Sequence, residues 1–175
     1  MEFTIRDAEA SDASAIHDIY GYYVDNTFIT FTEVNPPVSE YEQSIVNTKL
    51  RYPYIVLCDE TGVVIGMAYA GQIRHHDAYR FSVESTIYLS PDAPKKQGLG
   101  RMLYSELENR LSAMGYKFMY GVLTDDNYAS IGLHESMGFE KVGHFTDIGY
   151  KFKTLKGIVW YRKQIGDLND MTLHI

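Results

Sequence analysis

The most informative segment of the sequence is a short basic loop with two glycines, residues 95–101. It lies between a predicted strand over 80–89 and a predicted helix over about 98–114, in which Leu99, Leu103, Leu107 and Leu111 recur every fourth residue. Glycines one residue apart permit a close approach of the backbone to a ligand, and the N–H groups of the following helix favour an anion. The loop therefore predicts a phosphate or pyrophosphate site. The alternative is an ordinary helix N-terminus with a solvated basic cluster.

The hydrophobic pattern along the rest of the chain predicts alternating strands and helices. Strands are predicted near 3–6, 54–58, 63–72, 80–89, 118–123, 139–150 and 158–165, and helices over about 11–26, 39–51, 98–114 and 128–137. Ser39 and Glu42 have the spacing of a capping box, which predicts that the second helix begins there. This order predicts an α/β (α+β) fold with helices on both faces of the sheet.

Composition limits the classes of protein to which the chain can belong. Its 175 residues fit one domain, and 16 basic against 23 acidic residues argue against nucleic-acid binding as the main role. A single cysteine excludes intrachain disulfides and fits a reducing compartment. No apolar run reaches the roughly 20 residues of a membrane-spanning helix, and the N-terminus lacks the pattern of a signal peptide. We therefore expect a soluble, cytoplasmic protein. His75 and His76 face opposite sides of an extended chain, so no metal site is expected.

The loop, the strand before it and a helix that begins at Asn127 and ends at Gly138-Phe139 together resemble the GCN5-related N-acetyltransferase (GNAT) superfamily. The resemblance extends to about residue 165, although Lys95 stands where the family usually has Gln or Arg. Residues 30–33, 83–91 and 129–135 are similar to the branch of phosphinothricin and methionine sulfone/sulfoximine acetyltransferases. The resemblance implies a GNAT domain over 1–166 with a tail over 167–175. It also implies a central mixed, mostly antiparallel, twisted sheet of about seven strands.

The resemblance further implies the reaction. Acetyl-CoA would be the co-substrate, without a metal, and the acceptor would be the α-amine of a small amino acid or analogue that carries a carboxylate. It also implies a homodimer, whereas the acidic charge balance and the lack of a long apolar run argue against nucleic-acid and membrane partners. The alternatives are acetylation of a protein N-terminus, a polyamine or an aminoglycoside, or a CoA-binding module without turnover.

Two residues are candidates for the catalytic chemistry. Glu84, on the strand expected to face the co-substrate, is predicted to accept the ammonium proton, directly or through a water. Its alternative role is that of an exposed or salt-bridged strand residue. His134 falls seven residues after Asn127, where many members of the superfamily carry a tyrosine that protonates the CoA thiolate. It is predicted to act as an acid or a base, and its alternative is a histidine packed against the sheet.

The remaining candidates are binding residues. Those expected to bind the co-substrate are Ile87, Tyr88, Leu89, Lys95, Lys96, Gln97, Gly98, Leu99, Gly100, Arg101, Asn127, Ser130 and Ser136. Those expected at the acceptor are Phe31, Thr32, Arg74, Arg80 and Glu84. A guanidinium fits a carboxylate well, but either arginine could instead be a surface residue.

Overall fold

The sheet of this protein has the order β1-β2-β3-β4-β5-β7-β6 in the computed structural model, which describes residues 2–175. The strands are β1 Thr4–Asp7, β2 Tyr54–Cys58, β3 Val64–Gln72, β4 Ser82–Leu89, β5 Phe118–Thr124, β6 Glu140–Lys151 and β7 Thr154–Gln164. Among these, β4 and β5 pair in parallel and the other neighbours pair antiparallel. This mixed, mostly antiparallel sheet confirms the predicted fold class.

Helices cover both faces of the sheet: α1 Ala13–Asn26, α2 Val38–Lys49, α3 Leu99–Ala113 and α4 Tyr128–Ser136. Alternation along β2 separates two cores, because Ile55 and Leu57 pack with α3 whereas Val56 packs with α1 and α2. The four leucines of the predicted helical stripe are all buried in α3. That helix begins one residue after Gly98, as its pattern predicts.

The structure corrects three element boundaries. Helix α2 begins at Val38 with Pro37 as its N-cap and has no side-chain cap, so the predicted capping box at Ser39 is wrong. The ring of Pro37 holds φ at −65°, and its extended ψ of 156° lets the helix start directly after it. Strand β4 begins at Ser82 because residues 77–79 form a 3₁₀ turn that ends at Arg80.

Strand β7 begins at Thr154, earlier than the predicted residue 158, because β6 and β7 form one long hairpin. Its turn contains Phe152 and Lys153, whose φ values of 47° and 60° match the twist of the flanking strands.

The residues predicted as a tail lie against the end of α3. The His174 amide donates to the Met114 carbonyl at 2.8 Å, and Leu173 packs against the core that contains α3. Among the described residues, none of the helices is long and apolar enough to cross a membrane.

Candidate active site

Strands β4 and β5 separate partway along their length and leave a gap in the sheet. Their parallel register ends at Glu84 and Tyr120, whereas β4 continues against β3 to Leu89 and β5 continues against β7 to Thr124. The two strands therefore diverge beyond Glu84. Parallel strands that diverge expose backbone donors and acceptors along their facing edges, where an extended ligand can bind.

A continuous groove follows this gap. It consists of three adjoining cavities of about 220, 240 and 440 Å³. The first contains Glu84 and His134, and the third contains the loop 95–101. The first and second share Ile29, Ile87, Tyr88, Asn127 and Ser130, and the second and third share Leu89, Gly100, Ala129 and Leu133. The groove thus connects the candidate anion site to the two candidate catalytic residues.

The loop at one end of the groove forms the N-terminus of α3. Gly98 is the N-cap, and its φ of 71° lies in the left-handed region that glycine tolerates best. A Cβ built on it would meet no neighbouring atom, so the backbone here faces open space. Lys96 adopts a φ of 60° and is exposed. These features leave the first N–H groups of a 15-residue helix accessible to an anion.

The basic side chains of the loop already have protein partners. Lys95 Nζ donates to the Pro91 carbonyl at 2.6 Å. Arg101 Nη2 donates to the carbonyl and the hydroxyl of Ser136, which joins α3 to the end of α4. Both cations line the third cavity, so they supply positive charge to the groove while they hold its wall together.

The middle of the groove is bounded by β4, α1 and α4. The Tyr23 hydroxyl donates to the Leu89 carbonyl at 2.6 Å, which anchors α1 to this strand. Asn127 caps α4 by accepting the Ser130 amide at 3.2 Å. Capping and ligand contact are compatible, because both residues also line the groove.

Glu84 lies on β4 where the gap begins. It is partly buried, and burial raises the pKa of its carboxyl. A carboxylate with a raised pKa binds a proton more readily than an exposed one, which suits a general base.

His134 is 1% exposed, and both of its ring nitrogens have partners. Nδ1 lies 2.8 Å from the Ser130 carbonyl, which only accepts, so Nδ1 carries a hydrogen. Nε2 lies 3.0 Å from the Tyr104 hydroxyl. Burial lowers the pKa of His134, although the bond to Ser130 opposes this effect. Burial therefore favours the neutral form of the imidazole.

Two residues that sequence reasoning missed continue this network. The Tyr104 hydroxyl lies 2.5 Å from Ser85 Oγ, and Ser85 is placed to donate to the Tyr120 carbonyl at 2.8 Å. Tyr104 directly follows Leu103 of the leucine stripe. The helical period places it four residues after Gly100 and three before Leu107, on the face that meets the sheet. This position on the sheet-facing side of α3 was the signal by which the sequence could have identified Tyr104.

The segment between α1 and α2, residues 27–37, covers one side of the groove and is called the roof segment. Phe31 lines the cavity of Glu84 and packs against Gly149 of β6, where any Cβ would overlap its ring. Thr32 bonds the Tyr20 hydroxyl at 2.7 Å and lines a separate cavity of about 240 Å³ together with Tyr20 and Tyr69.

Arg74 and Arg80 lie in the segment between β3 and β4, and both are exposed. Arg80 donates to the Asp77 carbonyl at 3.0 Å, and its guanidinium lies over the Phe81 ring. Within residues 2–175, neither arginine contributes to the lining of the groove as defined above.

Comparisons with known proteins agree with this architecture. Residues 5–160 match the family model described as an acetyltransferase (GNAT) domain. A phosphinothricin N-acetyltransferase of Streptomyces viridochromogenes is 36% identical over 148 residues, which cover 84% of this chain and 79% of that protein. An L-methionine sulfoximine/L-methionine sulfone acetyltransferase of Pseudomonas aeruginosa is 36% identical over 154 residues, 87% of this chain and 88% of that protein.

A solved structure supports the same assignment. The phosphinothricin acetyltransferase of Sinorhizobium meliloti, in complex with AcCoA, has a TM-score of 0.92 and 36% identity and covers 100% of both chains. Because the family model matches most of the chain and the two curated relatives exceed 30% identity, this chain belongs to the GNAT acetyltransferase family and is an enzyme of the acyltransferase class.

Proposed function

We propose that this enzyme transfers the acetyl group of acetyl-CoA to the α-amine of a small amino acid or amino-acid analogue of the phosphinothricin or methionine sulfone/sulfoximine type. The observation that carries the proposal is the groove that joins the N-terminus of α3 to Glu84 and His134. The names of the relatives at 36% identity support the class of acceptor.

The co-substrate would lie along the whole groove. Its pyrophosphate would meet the amides of 97–101 at the start of α3, beside the cations Lys95, Lys96 and Arg101. The pantetheine arm would then follow the edge of β4 at residues 87–89 as an added strand. Asn127 and Ser130 support the proposal from the opposite wall, whereas Ser136 would act by holding Arg101.

The reaction would proceed by direct attack of the amine on the thioester. Glu84 would take the first proton from the ammonium, because only the neutral amine is a nucleophile. An N–H group of the β4 edge would polarise the thioester carbonyl. His134 would serve the second proton transfer, from the nitrogen of the intermediate towards the leaving sulfur.

The acceptor would enter under the roof segment. Phe31 supports this because it shares a cavity with Glu84. Arg74 and Arg80 remain the proposed carboxylate ligands, because both lie close in sequence to the start of β4 and end in exposed guanidinium groups. Thr32 would contribute through its bond to Tyr20, which orders the segment.

A thiol-release assay tests this function. We expect thiol release from acetyl-CoA with phosphinothricin, methionine sulfone or methionine sulfoximine, and none above background with a polyamine, an aminoglycoside or an N-terminal peptide. Release only with one of the latter acceptors would overturn the proposed substrate class. Tight CoA binding without release from any acceptor would instead indicate a binding module.

We also propose a cytoplasmic homodimer with no nucleic-acid or membrane partner. The net charge of −7 and a single buried cysteine support the absence of a nucleic-acid partner and the cytoplasmic location. Support for the dimer comes from β6, whose residues are mostly exposed and include Phe145 and Ile148, 52% and 56% exposed. Exposed apolar side chains grouped on an edge strand are typical of an interaction surface.

A further inference from the structure

Three buried side chains from three different elements form one hydrogen-bonded row behind the groove. Ser85 of β4, Tyr104 of α3 and His134 of α4 are 7%, 0% and 1% exposed. The Tyr104 ring stacks on Phe139 at 5.6 Å, so its hydroxyl is held in place. Each end of the row meets a backbone carbonyl, that of Tyr120 at Ser85 and that of Ser130 at His134.

Counting hydrogens shows that this row is one proton short. Its contacts are Ser130 carbonyl to Nδ1, Nε2 to Tyr104, Tyr104 to Ser85, and Ser85 to the Tyr120 carbonyl. Each contact needs its own hydrogen, and carbonyls supply none. A neutral imidazole, a phenol and a serine supply one hydrogen each, which leaves one contact unfilled. An imidazolium supplies two, and then every contact is filled.

Only the ends of the row reach the reaction cavity. Ser85 and His134 line the cavity that also contains Glu84, whereas Tyr104 is fully enclosed. Neither ring nitrogen of His134 is free, because both are engaged by Ser130 and Tyr104. A proton from the cavity therefore reaches Nε2 through the two hydroxyl groups.

We propose that Ser85 and Tyr104 relay one proton between the reaction cavity and His134. The inference rests on the proposed acetyl transfer. Before the proton arrives, Ser85 donates to Tyr104 and Tyr104 donates to Nε2 of the neutral imidazole. The contact between Ser85 and the Tyr120 carbonyl is then the one without a hydrogen. When a proton arrives at Ser85 Oγ, the serine hydrogen passes to Tyr104 and the tyrosine hydrogen passes to Nε2. Ser85 then donates its new hydrogen to the Tyr120 carbonyl.

The relay balances the reaction. The ammonium loses two protons, of which Glu84 takes the first before the attack. The second N–H bond breaks in the tetrahedral intermediate, its electron pair stays on nitrogen, and the proton enters the relay. Cleavage of the C–S bond leaves an electron pair on sulfur, and the relay returns the proton there to form the thiol. Glu84 later releases its proton to solvent.

The test replaces each hydroxyl and uses a matched buried tyrosine as the control. Tyr104→Phe removes the central hydroxyl but keeps the ring. Tyr116→Phe is the control, because Tyr116 is also 0% exposed, its hydroxyl donates to the Arg51 carbonyl at 3.2 Å, and it does not line the described groove. Acetyl transfer is measured in single-turnover experiments with and without D₂O, together with the KM of each substrate.

We expect Tyr104→Phe and Ser85→Ala each to slow transfer by about 100-fold with KM values within about twofold of wild type. The double variant should be no slower than either single variant, because both interrupt one path. A plot of the wild-type rate against the D₂O fraction should be curved, because several protons move in the transfer step. The variants with a disrupted relay should lose this curvature. Tyr116→Phe should keep the wild-type rate and isotope effect.

Several outcomes would overturn the relay. Wild-type transfer rates in either relay variant contradict it, and so does a slow Tyr104→Phe beside a fast Ser85→Ala. If Tyr104→Phe does not fold, the ¹⁵N spectrum of wild-type His134 decides, since a neutral ring with its hydrogen on Nε2 is incompatible with the row. A wild-type enzyme that acetylates no acceptor contradicts the proposed function instead.

Discussion

Glu84 and His134 line the same cavity, and burial shifts their pKa values in opposite directions from the ordinary value of each group. It raises the pKa of Glu84 above its ordinary 4.5 and lowers that of His134 below its ordinary 6.5. In both cases burial favours the neutral form, because a low-dielectric site penalises charge. One group thus binds a proton more readily and the other gives it up more readily. Glu84 is therefore suited to accept a proton, and His134 is suited to release one.

The raised pKa of Glu84 predicts the pH dependence of the reaction. The base acts when deprotonated, so kcat/KM for the acceptor should rise with pH through a pKa above 4.5. Glu84→Gln should abolish this limb and lower kcat about 100-fold or more. Initial rates across a pH series check it, with the exposed Glu42→Gln on α2 as the control. An unchanged pH profile in Glu84→Gln would exclude the carboxylate as the base.

Gly121 on β5 leaves the space that the His134 ring occupies. A Cβ built at Gly121 would overlap Nε2, and the ring cannot move without breaking its bonds to Tyr104 and Ser130. We expect Gly121→Ala to lower the free energy of unfolding by about 1–3 kcal/mol and to remove most of the activity.

Gly132→Ala provides the control for this substitution. Gly132 lies on α4, and a Cβ there meets no neighbouring atom. Alanine should stabilise the helix by about 0.5–1 kcal/mol and leave the rate unchanged. Urea unfolding and kcat are measured on both variants, and a fully active Gly121→Ala would show that the site tolerates a displaced imidazole.

At the scale of elements, the β6–β7 hairpin holds the segment that roofs the groove. Lys151, at the end of β6, is 1% exposed and donates to the Thr27 and Thr30 carbonyls, each at 2.8 Å. A weaker contact of 3.4 Å reaches the Tyr23 carbonyl at the end of α1. Burial lowers the pKa of this ammonium, so its charge is held by carbonyl dipoles.

Removing this ammonium should affect the acceptor more than the co-substrate. Lys151→Met leaves buried carbonyls unpaired, which costs about 1–3 kcal/mol of stability, and it loosens the segment that carries Phe31. We expect a KM for the acceptor raised about tenfold and a KM for acetyl-CoA within about twofold of wild type. The exposed neighbour Lys153→Met is the control. Equal changes in both KM values would contradict the positioning role.

At the scale of the whole molecule, the exposed face of β6 predicts the state of assembly. Phe145→Asp should convert a dimer to a monomer, because a buried unpaired carboxylate is costly at an interface. Val63→Asp is the control, since Val63 is 57% exposed in the turn before β3, beside 52% for Phe145. Light scattering at about 10 μM, a concentration at which a dimer with a Kd of about 1 μM or below is mostly assembled, measures the mass. A monomeric wild type at that concentration would contradict the dimer.

Much of the fold followed from local patterns. The leucine stripe of α3, the buried strand β2 and the stop at Gly138 depend on periodicity and on residues with special backbone preferences, which a sequence shows directly. The predicted start of α2 was wrong because two adjacent sequence signals, Pro37 and the capping pattern at Ser39, competed. Pro37 ended the extended segment before the Ser39 pattern could act as a cap.

Local patterns in the sequence predicted the order of strands and helices and marked the basic, two-glycine loop 95–101 as a candidate anion site, because these features depend on residues close together in the chain. Glu84 and His134 became candidates through the family resemblance. Three features emerge only from the folded chain: β7 lies between β5 and β6, β4 and β5 diverge beyond Glu84, and the side chains of Ser85, Tyr104 and His134 meet. Those three residues are separated by 19 and 30 positions. Packing of α3 and α4 against one sheet brings them within hydrogen-bond distance, and no local pattern encodes that packing.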